Sequence, residues 1–129
     1  MTSIVLDASA LLAMIKGEPG GDRVAEAITG SRISAVNYAE VVSHFDRLGT
    51  PADEIEAMLN PLPVEVISAD RTLATLAGRL RAKTAKFGLS LGDRFCLAQA
   101  RHDGLPVWTA DRAWTNVAAR IGVDVVVIR

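Results

Sequence analysis

Four acidic residues stand at positions where carboxylates do chemistry. Asp7 closes the apolar run Ile4-Val5-Leu6, and Asp111 follows Val107-Trp108-Thr109-Ala110. Both read as residues at the carboxyl end of a buried strand, where open parallel sheets gather their ligands. Glu40 belongs to a helical stretch whose polar stripe runs through Asn37, Glu40, His44 and Arg47, and Asp93 lies three residues after Ser90. Four carboxylates converging within ~4–6 Å repel by a few kcal/mol per pair at an effective dielectric near 20. Such a cluster persists if some members protonate or if a divalent cation binds. Mg²⁺ suits it, taking one or two carboxylates and keeping several waters. A metal-bound water is a stronger nucleophile for in-line attack on phosphorus, so the implied chemistry is phosphodiester hydrolysis.

Each acid also has a purely local reading. Ser90 and Asp93 approximate a capping box, Asp111 suits the N-cap of the helix after it, and Asp7 suits the cap of a helix beginning near Ala10. Glu40 and His44, four apart, could pair on a solvated face. Arg94 and Arg112 each directly follow an acid and are candidate phosphate contacts. Cys96, inside an apolar helical stretch, reads as core, and so does Trp114.

The elements that must position these groups alternate. Strands are predicted over residues 3–7, 31–35, 64–67, 106–109 and 123–128. Helices are predicted over 10–16, 22–28, 36–48, 52–59, 68–86, 90–102 and 112–121. That order implies an α/β fold, a three-layer α/β/α sandwich around a central parallel five-stranded sheet. The 129 residues, 50% hydrophobic and 22% charged, are enough for one domain spanning 1–129, and far too apolar for a disordered chain. No apolar run reaches the ~18–20 residues of a membrane span. The first residues lack a basic region, so a signal peptide is not expected and the cytoplasm is the expected compartment. A single cysteine excludes an internal disulfide and a cysteine-based zinc site.

The net charge of -1 hides an asymmetry. Residues 1–69 hold 4 Lys/Arg against 10 Asp/Glu, and residues 70–129 hold 10 against 5. The densest basic run is Arg79-Leu80-Arg81-Ala82-Lys83-Thr84-Ala85-Lys86. It reads either as a solvated helix face or as a surface for phosphates.

Four blocks together carry a family resemblance. Val5-Leu6-Asp7-Ala8-Ser9-Ala10-Leu11-Leu12-Ala13 resembles the opening of PIN-domain ribonucleases, specifically the VapC toxins of toxin–antitoxin pairs. Ser34-Ala35-Val36-Asn37-Tyr38-Ala39-Glu40-Val41, Leu89-Ser90-Leu91-Gly92-Asp93-Arg94-Phe95-Cys96 and Pro106-Val107-Trp108-Thr109-Ala110-Asp111 resemble its later motifs, in order. The resemblance implies that Asp7, Glu40, Asp93 and Asp111 form an acidic quartet holding Mg²⁺ or Mn²⁺. Asp7 and Asp93 would be direct ligands, Glu40 would orient or deprotonate the attacking water, and Asp111 would bind directly or through water. Ser9 and Thr109 match supporting hydroxyls, and Asn116 stands nearest to a further polar position of the family. The resemblance also implies cleavage of RNA to a 3′-hydroxyl and a 5′-phosphate, a homodimer, and a VapB-type antitoxin forming a hetero-oligomer with it. An apolar groove around Leu11, Leu12, Ile15, Tyr38 and Val42 is the expected seat of the antitoxin helix.

Two rival readings share the size and class. A receiver-like Mg²⁺-binding regulatory module needs paired acids after its first strand and a lysine after its fifth, whereas Asp7 stands alone and no such lysine follows residues 123–128. A non-catalytic PIN scaffold typically lacks members of the quartet, and this chain has all four.

Overall fold

The computed structural model describes residues 3–129. Five strands, β1 (Val5–Leu6), β2 (Ser31–Ser34), β3 (Val64–Ile67), β4 (Val107–Thr109) and β5 (Val125–Val127), form one sheet in the order β3-β2-β1-β4-β5. Every pairing is parallel, with Val5 opposite both Arg32 and Val107, and Leu6 opposite Trp108. The chain builds outward from β1 to β3, then crosses back to β4 on the other side of β1. The crevice outside the carboxyl ends of β1 and β4 is therefore the topological switch point. A receiver-like sheet has the order 2-1-3-4-5, so the strand order overturns that alternative.

Val5 and Leu6, neighbours on one strand, point to opposite faces, and both are fully buried. Leu6 packs with α1 (Ala8–Lys16), α2 (Gly21–Ala27), α3 (Ala35–Arg47) and α4 (Ala52–Leu59) through Leu11, Val24, Val41, Ile55 and Leu59. Val5 packs with α5 (Arg71–Arg79), α7 (Leu91–Asp103) and α8 (Thr115–Ile121) through Ala77, Leu97, Val117 and Ile121. Each fully buried aliphatic side chain contributes roughly 1.5–3 kcal/mol relative to exposure. The result is the three-layer α/β/α arrangement read from the alternation of elements. No described helix is long and apolar enough to cross a membrane.

Two segments depart from expectation. Residues 68–86 are not one helix: Asp70 accepts from the Leu73 N–H at 3.0 Å to start α5. The ladder then tightens at Leu80, whose carbonyl accepts both the Lys83 N–H and the Thr84 N–H, each at 3.1 Å. A short α6 (Arg81–Thr84) and a 3-10 turn over Ala85–Phe87 follow. Residues 112–121 likewise open with a 3-10 turn, Arg112–Trp114, which places the Trp114 side chain in the core at 0% exposure.

Candidate active site

Asp7 leaves β1 at the switch point and is 6% exposed. Although it occupies the N-cap position of α1, its side chain bonds no helix N–H. Instead its Oδ2 accepts from Ser9 Oγ at 2.6 Å and Thr109 Oγ1 at 2.8 Å. Those hydroxyls are themselves fixed by the backbone of the β4 turn: Ala110 N–H donates to Ser9 Oγ at 3.0 Å, and Asp111 N–H donates to Thr109 Oγ1 at 3.1 Å. The ends of β1 and β4 are thus laced together through one carboxylate.

Burial pushes the Asp7 carboxyl up to a pKa of about 6. The two hydroxyl bonds pull it down, while the charges of Asp93 and Glu40 push it further up. The same three acids bear on Cys96, whose thiol is raised well above its ordinary value, first by burial and then by Asp7, Asp93 and Glu40. Cys96 is fully buried, the core residue expected.

Glu40 comes from α3, which Ser34 caps by accepting the Val36 N–H at 3.2 Å. Its predicted pairing with His44 is absent. Asn37, one turn earlier and buried, donates to Glu40 Oε1 at 2.7 Å and to the Gly92 carbonyl at 2.9 Å, fastening α3 to the first turn of α7. A Cβ at Gly92 would stand 2.5 Å from Glu40 Oε2, so a side chain there would push the Glu40 carboxylate out of this position. Asp93 sits in a full capping box: Ser90 N–H donates to Asp93 Oδ2 at 3.0 Å, and Asp93 N–H donates to Ser90 Oγ at 3.1 Å. Asp111, exposed, accepts the Ala113 N–H on Oδ1 at 3.0 Å. The local and the functional readings of Asp93 and Asp111 therefore coexist.

Each acid is anchored through one oxygen. Asp7 Oδ1, Glu40 Oε2, Asp93 Oδ1 and Asp111 Oδ2 accept no hydrogen bond among the described residues. Four hard oxygens oriented by their partners, one of them desolvated and repelled by two neighbouring acids, make a donor set that fits a divalent cation. Among the described residues no three acids are yet gathered tightly enough to close around an ion. The structure joins Asp7, Glu40 and Asp93 electrostatically, and Asp111 through the backbone bond to Thr109.

The PIN domain family matches residues 4–120. The chain belongs to that family. It is 28% identical over 114 residues to the VapC ribonuclease Mb2780c of Mycobacterium bovis, covering 81% of this chain and 87% of the relative. Its fold is similar to the DNA-bound VapBC of Salmonella typhimurium, with a TM-score of 0.78, 21% identity and full coverage of both chains. It is also similar to Mycobacterium tuberculosis VapC20, a sarcin-ricin loop cleaving toxin, with a TM-score of 0.73, 18% identity and coverage of 88% and 93%.

Around this PIN-domain centre the remaining candidates are distributed unevenly. Arg94 Nη1 donates to the Ala77 carbonyl and Arg112 Nε to the Arg129 carbonyl, both at 3.1 Å, so each guanidinium is tethered by one donor. Asn116 stands exposed on the first turn of α8 and makes no side-chain hydrogen bond to the acids. The apolar groove resolves into two depressions. Leu12 lines one of about 640 Å³ between α1 and α3, together with Ser9, Val36, Glu40 and His44. Leu11 and Tyr38 line another of about 130 Å³ beside Leu59, Leu62 and Val64. Asn37 and Gly92 are the site residues that sequence reasoning missed. Asn37 was visible on the polar stripe with Glu40, but its bond to Gly92, 55 residues away, was not.

Proposed function

We propose that this chain is the toxin of a type II toxin–antitoxin system, a metal-dependent endoribonuclease acting as one domain over residues 1–129 in the cytoplasm. The observation that carries this reading is Asp7: a buried carboxylate, charge-coupled to Glu40 and Asp93, with one oxygen left unbonded at the switch point. The similarity to a VapC ribonuclease supports RNA as substrate, and the similarity to VapBC supports a VapB-type antitoxin as partner.

Asp7 and Asp93 would hold Mg²⁺ or Mn²⁺ directly, with Asp111 bound directly or through water. The bound cation would supply a lowered pKa for its water and positive charge for the phosphate. Ser9 and Thr109 fix the Asp7 carboxylate in one orientation. Glu40, steadied by Asn37, orients the attacking water and accepts its proton as the water oxygen bonds to phosphorus and the P–O3′ bond breaks; O3′ takes a proton from solvent, leaving a 5′-phosphate and a 3′-hydroxyl. The half-tethered guanidinium groups of Arg94 and Arg112 keep free donors for phosphate oxygens. The α1–α3 groove, opening beside Glu40, receives the antitoxin helix and so covers the site, in a hetero-oligomer built on a toxin homodimer. Leu12→Asp in that groove should abolish capture of the antitoxin without loss of cleavage.

Protein freed of antitoxin should cleave structured RNA in Mg²⁺ or Mn²⁺ and stop in EDTA. Asp93→Asn should lower the rate by orders of magnitude while the circular dichroism spectrum and melting temperature hold. Cleavage that survives both EDTA and this substitution would overturn the metal-site reading.

A further inference from the structure

The basic run singled out in the sequence is not absorbed by the acidic centre, and the structure gives part of it a shape. Arg79, Lys83 and Arg101 line a cavity of about 250 Å³ on the seam of α5, α6 and α7, floored by Leu76 and Leu80. At ~30 Å³ per water, that volume admits a hydrated phosphate group. No acid lines the cavity.

Most other cations have partners among the described residues, Arg71 and Arg81 excepted; what sets Arg79, Lys83 and Arg101 apart is that they share one cavity. Arg32 pairs with Asp103 and Glu65, Arg129 with Glu18, and Lys86 and Arg120 stand over the Phe87 ring at 5.6 and 5.5 Å. Arg79, Lys83 and Arg101 have neither an acid, a ring nor a side-chain hydrogen bond among the described residues. The helix dipole accounts for a cation in the last turn of α5 and of α7. It does not account for both being turned into one cavity with Lys83 from the next helix.

The cavity lies on a path from the acids. Arg94 and Arg101, seven apart, share one face of α7, two turns and about 10 Å from each other. Arg94 directly follows Asp93 and reaches the Ala77 carbonyl of α5 across the same seam. The seam thus runs from an acidic centre, through Arg94, to three unpartnered cations.

We propose that the α5–α7 seam is a phosphate-binding cleft that holds the substrate strand's backbone away from the scissile bond, with Arg79, Lys83 and Arg101 as positioning residues. This rests on the ribonuclease reading of the neighbouring acids and deepens it. The cleft takes phosphodiester charge without reading bases, and it anchors RNA long enough to reach from Asp93 to Arg101. An acidic protein segment is the other polyanion the charge would admit; the continuity with the acidic centre favours the nucleic-acid strand.

The test compares wild-type protein with Arg79→Gln/Lys83→Gln/Arg101→Gln. Binding of a fluorescent single-stranded RNA is measured by anisotropy in EDTA across a salt series, so that no cleavage intervenes. Neutralising three phosphate contacts should reduce the slope of log K against log salt by about 2, at ~0.7 per contact on a single strand. In Mg²⁺, KM for a long RNA should rise at least ten-fold with kcat unchanged, and a dinucleotide, whose single phosphodiester is the scissile one, should be cut equally by both proteins. The variant Arg79→Lys/Arg101→Lys should retain most of the slope, which separates charge from packing. Because Leu80 is buried beneath the cleft, the double variant Arg79→Gln/Lys83→Gln serves if the triple variant melts early. An unchanged slope and KM would overturn the cleft, as would an unchanged RNA slope accompanied by lost affinity for the antitoxin. Failure of the ribonuclease reading shows separately, as no cleavage by wild-type protein in Mg²⁺, and leaves the binding comparison in EDTA readable.

Discussion

Asp7 and Asp103 are the same residue type withdrawn from water at two places in one fold, and their surroundings treat them oppositely. Asp103, in the last turn of α7, accepts from Arg32 Nε at 2.9 Å and Gln99 Nε2 at 2.8 Å, with His102 Nδ1 at 3.3 Å. Burial alone would raise its carboxyl, but the bonds from Gln99, His102 and Arg32 and the Arg32 charge bring it below the ordinary value. Among the described residues Asp7 pairs with no cation; it has two hydroxyl donors and two acids near enough to oppose its charge. Asp103 is neutralised from within and holds structure together. Asp7 is left with a charge that a proton or an outside cation must answer, which is the signature of a working carboxylate.

Removing each charge in turn breaks the comparison most directly. Asp7→Asn should lower RNA cleavage by at least ~10³-fold, about 4 kcal/mol of transition-state stabilisation. It keeps an oxygen for Ser9 and Thr109, and without divalent cation it should melt no lower than the wild type. Asp103→Asn should do the reverse, with cleavage within two-fold and stability lower by about 1–3 kcal/mol, because Arg32 and Gln99 lose a charged acceptor. Melting curves and single-turnover rates on both variants check the pair. If Asp7→Asn unfolds the protein and Asp103→Asn silences it, the assignment of the two roles is inverted.

The pH dependence sharpens the same contrast. Asp7 has a folded pKa of about 6 against ~3.9 in an unfolded chain, so the folded state holds its proton more tightly. Stability should therefore fall as pH rises from about 4 to about 6, on the order of 3 kcal/mol at 1.36 kcal/mol per unit, and stay level above. Asp103 is depressed, so its contribution is present above ~3.9 and is lost as pH falls through its lower folded value. Denaturant titrations without divalent cation should show Asp7→Asn gaining on the wild type between pH 4 and 6. Added Mg²⁺ should close that gap above pH 6 by binding the folded wild type alone. A gap independent of pH would mean that Asp7 is not protonated in this range.

What could be read in the chain beforehand follows the same division. Asp7, Glu40, Asp93 and Asp111 were legible because an acid at a strand end or helix start is visible from its immediate neighbours. The five strands and their parallel pairing were legible because short apolar runs alternate with helical periodicity, whereas the order β3-β2-β1-β4-β5 was not. The state of Asp7 was not, because it depends on Thr109, 102 residues away, and on hydroxyls held by the β4 turn. The role of Asp103 was hidden as well, because Arg32, 71 residues earlier, gives no local sign of pointing at it. The break in residues 68–86 was also hidden: the run is rich in Ala, Leu and Arg, and the bond from buried Thr84 Oγ1 to the Leu80 carbonyl at 2.9 Å has no sign in the pattern. Periodicity reports on faces, whereas charge state reports on contacts.

Smaller substitutions tune the Asp7 side of the comparison without removing it. Ser9→Ala and Thr109→Val each delete a hydroxyl bond that lowers the Asp7 pKa. Each should move the acidic limb of the pH–rate profile upward and reduce the rate at neutral pH about ten-fold, or ~1.4 kcal/mol. Ser9→Ala should move the limb further, because its 2.6 Å bond to Asp7 is the shorter of the two and lowers that pKa more. A profile that drops in height without moving along the pH axis would assign these hydroxyls to packing.

The least severe change asks how far the unanswered charge extends. Asp111→Asn keeps an oxygen for the Ala113 N–H, so the 3-10 turn survives and the carboxylate charge alone is lost. Asp111 is exposed and contributes nothing to the raised pKa of Asp7, unlike Glu40 and Asp93. Its loss should therefore cost about ten-fold in cleavage, ~1.4 kcal/mol, well short of Asp7→Asn. Asn116→Ala, one turn further and free of bonds to the acids, should stay within two-fold. A loss at Asp111 equal to that at Asp7, fully restored by raising Mg²⁺, would make it an equal ligand that closes on the ion from the rim. A ten-fold loss that Mg²⁺ cannot restore leaves the buried carboxylate, with Glu40 and Asp93, as the part of the quartet on which cleavage chiefly depends.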